Sequence, residues 1–394
     1  MNTPFEGGAL CPAGDEPHYD LTQLPPAPPT TVAVIESIAT GAPRRVVDQA
    51  DAAARVASLF RDPGQRQRIP RIYRKTRITT RRMAVDPLDP EFDTFRRNRG
   101  TIRDRMNLYY RHAVPLAVEV GGRALAGLPY GVDEVGLLVF VTSTGFIAPG
   151  VDLAIVKELG LSRSISRVVI NFMGCAAAMN AIRLATSYVR AYPGMKAMVV
   201  GIELCSVNAV FADDVNDVVT HSLFGDGCAA MVIGAGRVHE KLEPGKVVIR
   251  SSFSRLLDDA EDGIVLGVNH NGITCELSEN LPEYIYAGVD PVVTEMLHDN
   301  GLQKSDIDLW AIHPGGPRII EESLRSLAIP PERAARSWDV LAGFGNMLSV
   351  SLIFVLEMMV RQAESTKAIS TGVAFAFAPG VTVEGMLFDI IRRP

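Results

Sequence analysis

The sequence predicts an α/β protein built from two similar halves. Three observations point there. Short β-branched runs alternate with longer stretches of helical period, the order of those pieces repeats after about residue 240, and 47% hydrophobic content over 394 residues can bury a large core. A formal charge of −6, with charged residues at 21%, suits a soluble globular chain.

Residues 1–30 carry Gly-Gly, Pro-Ala-Gly and Leu-Pro-Pro-Ala-Pro-Pro with no hydrophobic period, which predicts a mobile arm. A first half, 31–240, opens on strand Thr31–Ile38, with helices over Asp48–Arg61 and Asn107–Ala126 and then strand Gly136–Thr142. Strand Val168–Phe172, a helix after Cys175, and strands Lys196–Glu203 and Gly227–Gly236 complete it. A second half, 241–394, begins at strand Lys246–Phe253. Helix Pro291–Asn300, strand Leu309–His313, helix Arg318–Leu327, the apolar run Val340–Glu357 and strands Thr371–Phe377 and Thr382–Asp389 follow. Gly345-Asn346 ahead of a buried helix corresponds to Gly174-Cys175 ahead of another, which suggests pseudo-equivalent halves.

Cysteines at 11, 175, 205, 228 and 275 form no CxxC, a pattern that fits reduced thiols in the cytoplasm better than a disulfide frame or a zinc site. The first basic residue is Arg44 and no apolar signal-like segment precedes it, so no secretory leader is expected. The longest uncharged stretch, Val135–Val151, is interrupted by Thr-Ser-Thr-Gly and Ala-Pro-Gly and reads as strand plus loop, not as an integral membrane segment.

Between Arg66 and Arg82 lie eight Lys or Arg and no acid. Such a run is a solvated helix face, a nucleic-acid contact or a seat for a compact polyphosphate such as that of coenzyme A. The acidic chain and the lack of a nucleic-acid motif argue against the second. No metal or redox cofactor is expected: there is no HExxH, and Gly343-Phe-Gly-Asn-Met-Leu348 lacks the third glycine of a dinucleotide loop.

Three residues draw attention together. Cys175 stands where an apolar strand meets a helix rich in small residues, a place where unpaired N–H groups favour thiolate. His313 ends a strand before Pro-Gly-Gly-Pro, and Asn346 lies between Gly345 and an apolar helix. Singly these read as a packed thiol, an incidental imidazole and an N-cap. The order Cys, His, Asn also occurs in papain-like proteases, but their Cys-Gly-Ser/Ala-Cys-Trp/Tyr signature is missing.

The segments Asn171-Phe-Met-Gly-Cys-Ala-Ala177, Leu223-Phe-Gly-Asp-Gly-Cys-Ala-Ala230, Trp310-Ala-Ile-His-Pro-Gly-Gly-Pro317, Gly345-Asn-Met347 and Ala376-Phe-Ala-Pro-Gly-Val-Thr-Val-Glu-Gly385 together resemble the type III polyketide synthases, and most of all the mycobacterial long-chain α-pyrone synthases. The resemblance runs in family order from Thr31 to the end. It implies a thiolase-like αβαβα layered fold and a homodimer. It further implies that Cys175 carries the acyl chain, that His313 and Asn346 serve the thiolate and the malonyl enolate, and that Phe224 is the gatekeeper. Coenzyme A contacts would fall to Lys75, Arg77, Arg81 and Arg82 and to the backbone of Gly315 and Gly316. The pocket would be lined by Thr144, Ala148, Cys205, Ala209, Cys275 and Leu348, several of them smaller than in plant relatives. Room for an alkyl chain follows, each buried CH₂ contributing about 0.8 kcal/mol. Acyl-CoA and malonyl-CoA are then the expected substrates and alkyl α-pyrones the products. A ketoacyl-ACP synthase III-like enzyme making one condensation, or a non-catalytic acyl-CoA-binding protein, would share much of this pattern.

Overall fold

In the computed structural model the described residues are 31–93, 100–210, 215–237, 241–269, 272–362 and 367–392; the expected arm, 1–30, lies outside them. The first half contains β1 (Thr31–Gly41), β2 (Val46–Asp48), α1 (Gln49–Leu59), α2 (Pro63–Lys75), β3 (Thr80–Arg82), α3 (Ile102–Leu125) and β4 (Val135–Thr142). It continues through α4 (Val151–Glu158), β5 (Ser166–Asn171), α5 (Ala177–Ala191), β6 (Lys196–Leu204), α6 (Val215–Leu223) and β7 (Asp226–Arg237). The second contains β8 (Val247–Leu256), β9 (Ile264–Asn269), β10 (Gly272–Leu277), α7 (Leu281–Asp299), β11 (Leu309–Ile312) and α8 (Pro317–Leu327). It closes with α9 (Ala335–Phe344), α10 (Ser351–Arg361), β12 (Ile369–Ala378) and β13 (Thr382–Ile391).

Nine strands form one sheet in the order β11-β12-β13-β8-β1-β7-β6-β4-β5. Read outward from its middle, the order repeats. β1 pairs antiparallel with β7, β7 antiparallel with β6, and β6 parallel with β4; β8, β13, β12 and β11 repeat those senses in that sequence. The halves meet where β1 and β8 exchange a short ladder, Ala33–Ile35 against Val247–Ile249.

Buried side chains show the layering. One cluster packs α5 and α10 between inward faces of both half-sheets. A second packs α3 and α4 on the far face of the first half, and a third packs α7 and α8 on the far face of the second. The result is helix, sheet, helix, sheet, helix. Alanines at 177, 178, 181 and 185 let α5 lie close to the strands, since a strand buried on both faces leaves little depth for a helix between.

Local chemistry fixes the helix starts. Asp48 accepts from the N–H groups of Ala50 and Asp51, Asp62 caps α2 ahead of Pro63, and Thr101 with Asp104 forms a capping box on α3. Several expectations shift. The helix expected from Pro291 begins ten residues earlier, at Leu281 with Pro282 in its first turn, and accommodates Pro291 inside. The run Val340–Glu357 is two helices, because Gly345 adopts φ 73° and ends α9.

Candidate active site

The chain leaves β5 and turns sharply before α5. Phe172 and Gly174 take φ 58° and 56°, and Gly174–Ala176 form a single 3₁₀ turn that carries Cys175, a half-buried residue. A Cβ on Gly174 would lie 3.0 Å from Cδ of Pro379, so the turn and the 379–380 loop fit only around glycine.

His313 follows β11 directly. Its N–H donates to the Phe375 carbonyl (3.0 Å), which extends the β11–β12 pairing to the imidazole. The ring is buried, and neither nitrogen has a hydrogen-bonding partner among the described residues. Gly315 packs against the ring: a Cβ there would stand 3.0 Å from Cδ2 and 3.2 Å from Nε2 of His313.

Asn346 joins these pieces. Its Oδ1 accepts from the Leu348 N–H (2.9 Å), and Nδ2 donates to the Gly315 carbonyl (3.1 Å) while facing Sγ of Cys175 at 4.0 Å. Those partners fix the amide so that its N–H₂ end points toward the sulfur. The backbone of Asn346 also pairs with the segment before β7: its N–H donates to the Leu223 carbonyl (2.8 Å), and the Gly225 N–H donates to its carbonyl (2.9 Å). Phe224, between them, is thereby held beside Asn346.

Burial dominates the electrostatics. The Cys175 thiol is pushed well above the usual range by desolvation, with Cys275 and Glu203 adding to the effect and Asn346 opposing it. Desolvation lowers His313 to about 3. The expectation that a helix terminus would favour thiolate is therefore outweighed: α5 proper begins at Ala177, past the sulfur, and desolvation dominates. A lone charge on either residue is costly here.

Sequence reasoning missed Glu203. It is fully buried, accepts from Ser143 N–H (2.9 Å), Thr144 Oγ1 (2.9 Å) and Ser349 Oγ (2.5 Å), and burial raises its pKa to about 7. Its signal was a carboxylate inside an apolar strand, the Glu of Gly-Ile-Glu-Leu.

Beside the trio lies a cavity of about 420 Å³ whose wall includes Thr144, Cys205, Ala209, Phe224, Cys275 and Leu348. The β9–β10 hairpin forms its outer side. Ala148 is elsewhere. It borders a second hollow, about 630 Å³, together with Phe146, Ile147 and Asn171. Of the basic residues, Lys75 and Arg77 are exposed, Arg77 pairing with Glu321 (2.6 Å) and lying over the Trp338 ring, while half-buried Arg82 donates to the Arg44 carbonyl. Gly315 and Gly316 are buried. Arg81 corrects the expectation of a solvent-facing phosphate ligand: β3 pairs with β2 and turns it wholly inward, with no exposed surface. Among the described residues no group of three or more His, Cys, Asp or Glu is placed to hold a metal ion, and no helix is long and apolar enough to cross a membrane.

Comparison with known proteins agrees with this fold. The family model for the N-terminal domain of chalcone and stilbene synthases matches residues 28–237, and that for the C-terminal domain matches 248–392. The chain is 79% identical over 393 residues, covering 100% of both chains, to the alpha-pyrone synthesis polyketide synthase-like protein Pks18 of Mycobacterium tuberculosis. The crystal structure of PKS-I from the brown alga Ectocarpus siliculosus superposes with TM-score 0.85 at 38% identity, covering 92% of this chain and 99% of that one. That of 1,3,6,8-tetrahydroxynaphthalene synthase from Streptomyces coelicolor A3(2) superposes with TM-score 0.81 at 25% identity, covering 92% and 100%. With both domain models in register and one relative matched from end to end, the chain belongs to the chalcone and stilbene synthase family, the type III polyketide synthases.

Proposed function

We propose that the protein condenses a long-chain fatty acyl-CoA with malonyl-CoA and releases alkyl α-pyrones. The observation that carries this is the Asn346 carboxamide, held between Cys175 Sγ and the Gly315 carbonyl, with its neighbours Phe224 and Leu348 on the wall of a cavity that Cys205, Ala209 and Cys275 also line. The relative that matches from end to end is named for alpha-pyrone synthesis, which supports the product class.

In the first step His313 takes the Cys175 proton as sulfur attacks the starter carbonyl; CoA thiol leaves and a Cys175 thioester remains. Malonyl-CoA then loses CO₂, and its thioester oxygen becomes an enolate that accepts hydrogen bonds from Nδ2 of Asn346 and from the His313 ring. The apolar ring of Phe224 disfavours the malonyl carboxylate and so promotes its loss. The enolate carbon attacks the Cys175 thioester, sulfur departs, and a β-ketoacyl-CoA forms. After a second extension, the enol oxygen of the triketide attacks the terminal thioester carbonyl, closing a six-membered lactone and expelling the thiol.

Lys75, Arg77 and Arg82 are assigned to the CoA phosphates, with Arg77 exchanging Glu321 for phosphate. A homodimer in the cytoplasm completes the proposal. Its support is the open edge of β5, where Val168 and Val169 are exposed beside Phe146 and Ile147 on the Ala148 loop. Labelled malonyl-CoA offered with starters of two to twenty carbons tests the whole. Long starters should outcompete short ones and Cys175→Ala should make no product; a single condensation, or equal use of short aromatic starters, would overturn it.

A further inference from the structure

Arg81 is a buried cation that the proposed chemistry does not use. Among the described residues it makes no ion pair: burial opposes its charge most strongly, and Tyr73 and then Asp226 and Asp86 favour it. Its Nε donates to Oε1 of Gln49 (2.9 Å), and its Nη1 donates to the carbonyls of Phe224 (3.0 Å) and His221. The guanidinium also lies 5.9 Å from the centroid of the Tyr73 ring. Nη2 is buried without a partner. A fold that needed only filler here would be better served by an apolar side chain.

What Arg81 grips is specific. The last turn of α6 leaves carbonyls without helical partners, and donors meet them one by one: Arg81 at His221, Gln49 Nε2 at Ser222 (2.8 Å), the Asn346 N–H at Leu223 (2.8 Å), and Arg81 again at Phe224. The aliphatic stem fills the space opposite Gly345, where a Cβ would stand 3.0 Å from Arg81 Cγ and 2.7 Å from the Leu223 carbonyl. The two preceding residues reach the other half of the chain. Thr79 N–H donates to the Ala342 carbonyl (2.8 Å) and Thr80 Oγ1 to the Gly343 carbonyl (3.0 Å), both at the end of α9. One short segment therefore clasps the stretch that carries Phe224 and the stretch that carries Asn346. Cys175 and His313 also have supports that do not pass through Asn346, the Gly174–Pro379 packing and the Phe375 carbonyl.

We propose that Arg81 is a positioning residue for malonyl decarboxylation: its guanidinium sets the register of Phe224 against Asn346 without taking part in acylation of Cys175. The proposal rests on the roles given above to Phe224 and Asn346. A displacement of about 1 Å at either should cost on the order of 10²-fold in rate, while the sulfur and the imidazole keep their supports.

The test compares two half-reactions in the full chain. Acylation of Cys175 by palmitoyl-CoA is followed by mass spectrometry of the intact protein, and decarboxylation by CO₂ released from carboxyl-labelled malonyl-CoA. Arg81→Met should lower the kcat for CO₂ release about 10- to 100-fold and change acylation less than about threefold. Arg81→Lys keeps the charge but cannot span Gln49 and both carbonyls, and should fall between. Equal loss of both half-reactions, or loss of neither, overturns the proposal. If Arg81→Met does not fold, Gln49→Leu, which removes the Nε partner and the Ser222 bond, should shift the same ratio in the same direction, and an unchanged ratio is equally fatal. Asn346→Ala serves as the reference. If it leaves CO₂ release intact, the role of Asn346 falls and the proposal with it; if it abolishes release while Arg81→Met does not, the role of Arg81 alone is wrong.

Discussion

Nδ2 of Asn346 faces Sγ of Cys175 at 4.0 Å across a sequence separation of 171 residues. No local preference brings them there. Cys175 is delivered by the turn out of β5 and Asn346 by the break at Gly345, so the pair exists only because the two half-sheets repeat one another about the β1–β8 seam.

Gly315→Ala tests how tightly the imidazole is seated. The added methyl would stand 3.0 Å from Cδ2 of His313, closer than ordinary contact, so the ring must move by a few tenths of an ångström. Turnover should fall about 10- to 100-fold with little change in thermal unfolding, as checked by steady-state product formation and a melting curve.

His313→Ala should silence the sulfur. With the imidazole gone, no base is left to take the proton, and burial, with Cys275 and Glu203 adding to it, holds the Cys175 thiol protonated against the Asn346 hydrogen bond. Alkylation by iodoacetamide at pH 7 should slow by at least about tenfold relative to the parent and recover only toward alkaline pH, since thiolate is the reactive form. An unchanged alkylation profile would separate the two residues functionally.

Glu203→Gln carries a prediction about pH. A carboxyl whose pKa rises from 4.5 to about 7 on folding lends stability that is whole below the lower value and lost as pH climbs through the higher one. Parent protein should therefore lose stability between pH 4.5 and 7, by at most about 3 kcal/mol from this group, a contribution absent from the glutamine variant, whose stability should fall less over the same range. Asp226, raised to about 6, slopes the same way in both proteins and cancels in the difference. Denaturant midpoints at pH 5 and pH 8 give the comparison.

Cys275→Phe should shorten the accepted starter. The side chain borders the 420 Å³ cavity, and a benzyl group there displaces several methylenes, each of which contributes about 0.8 kcal/mol when buried. Competition between starters of eight and sixteen carbons should shift toward the shorter. Unaltered selectivity would place the alkyl channel elsewhere.

The strand ends carrying Cys175 and His313, and the glycine break before Asn346, were legible because apolar runs stop abruptly at small residues there. Other pieces were hidden. α2 buries only Ile69 and Tyr73 among many cations, too little apolar period to mark a helix. Pro291 imitates a helix start, since proline favours the first turn, although Pro282 holds that place. Within the basic run nothing in composition separates Arg81 from Arg82; only the pairing of β3 with β2, which sends alternate side chains to opposite faces, turns Arg81 wholly inward and leaves its neighbour half-buried.

The seam between β1 and β8 has a bearing on biosynthesis. A ribosome that has made only the first half has made the sulfur but neither the imidazole nor the carboxamide, and β1 still lacks the neighbour that joins it to the rest. β11, which leads to the imidazole, reaches β8 only through β12 and β13, so the nascent polypeptide cannot complete the site until the last strand has been made.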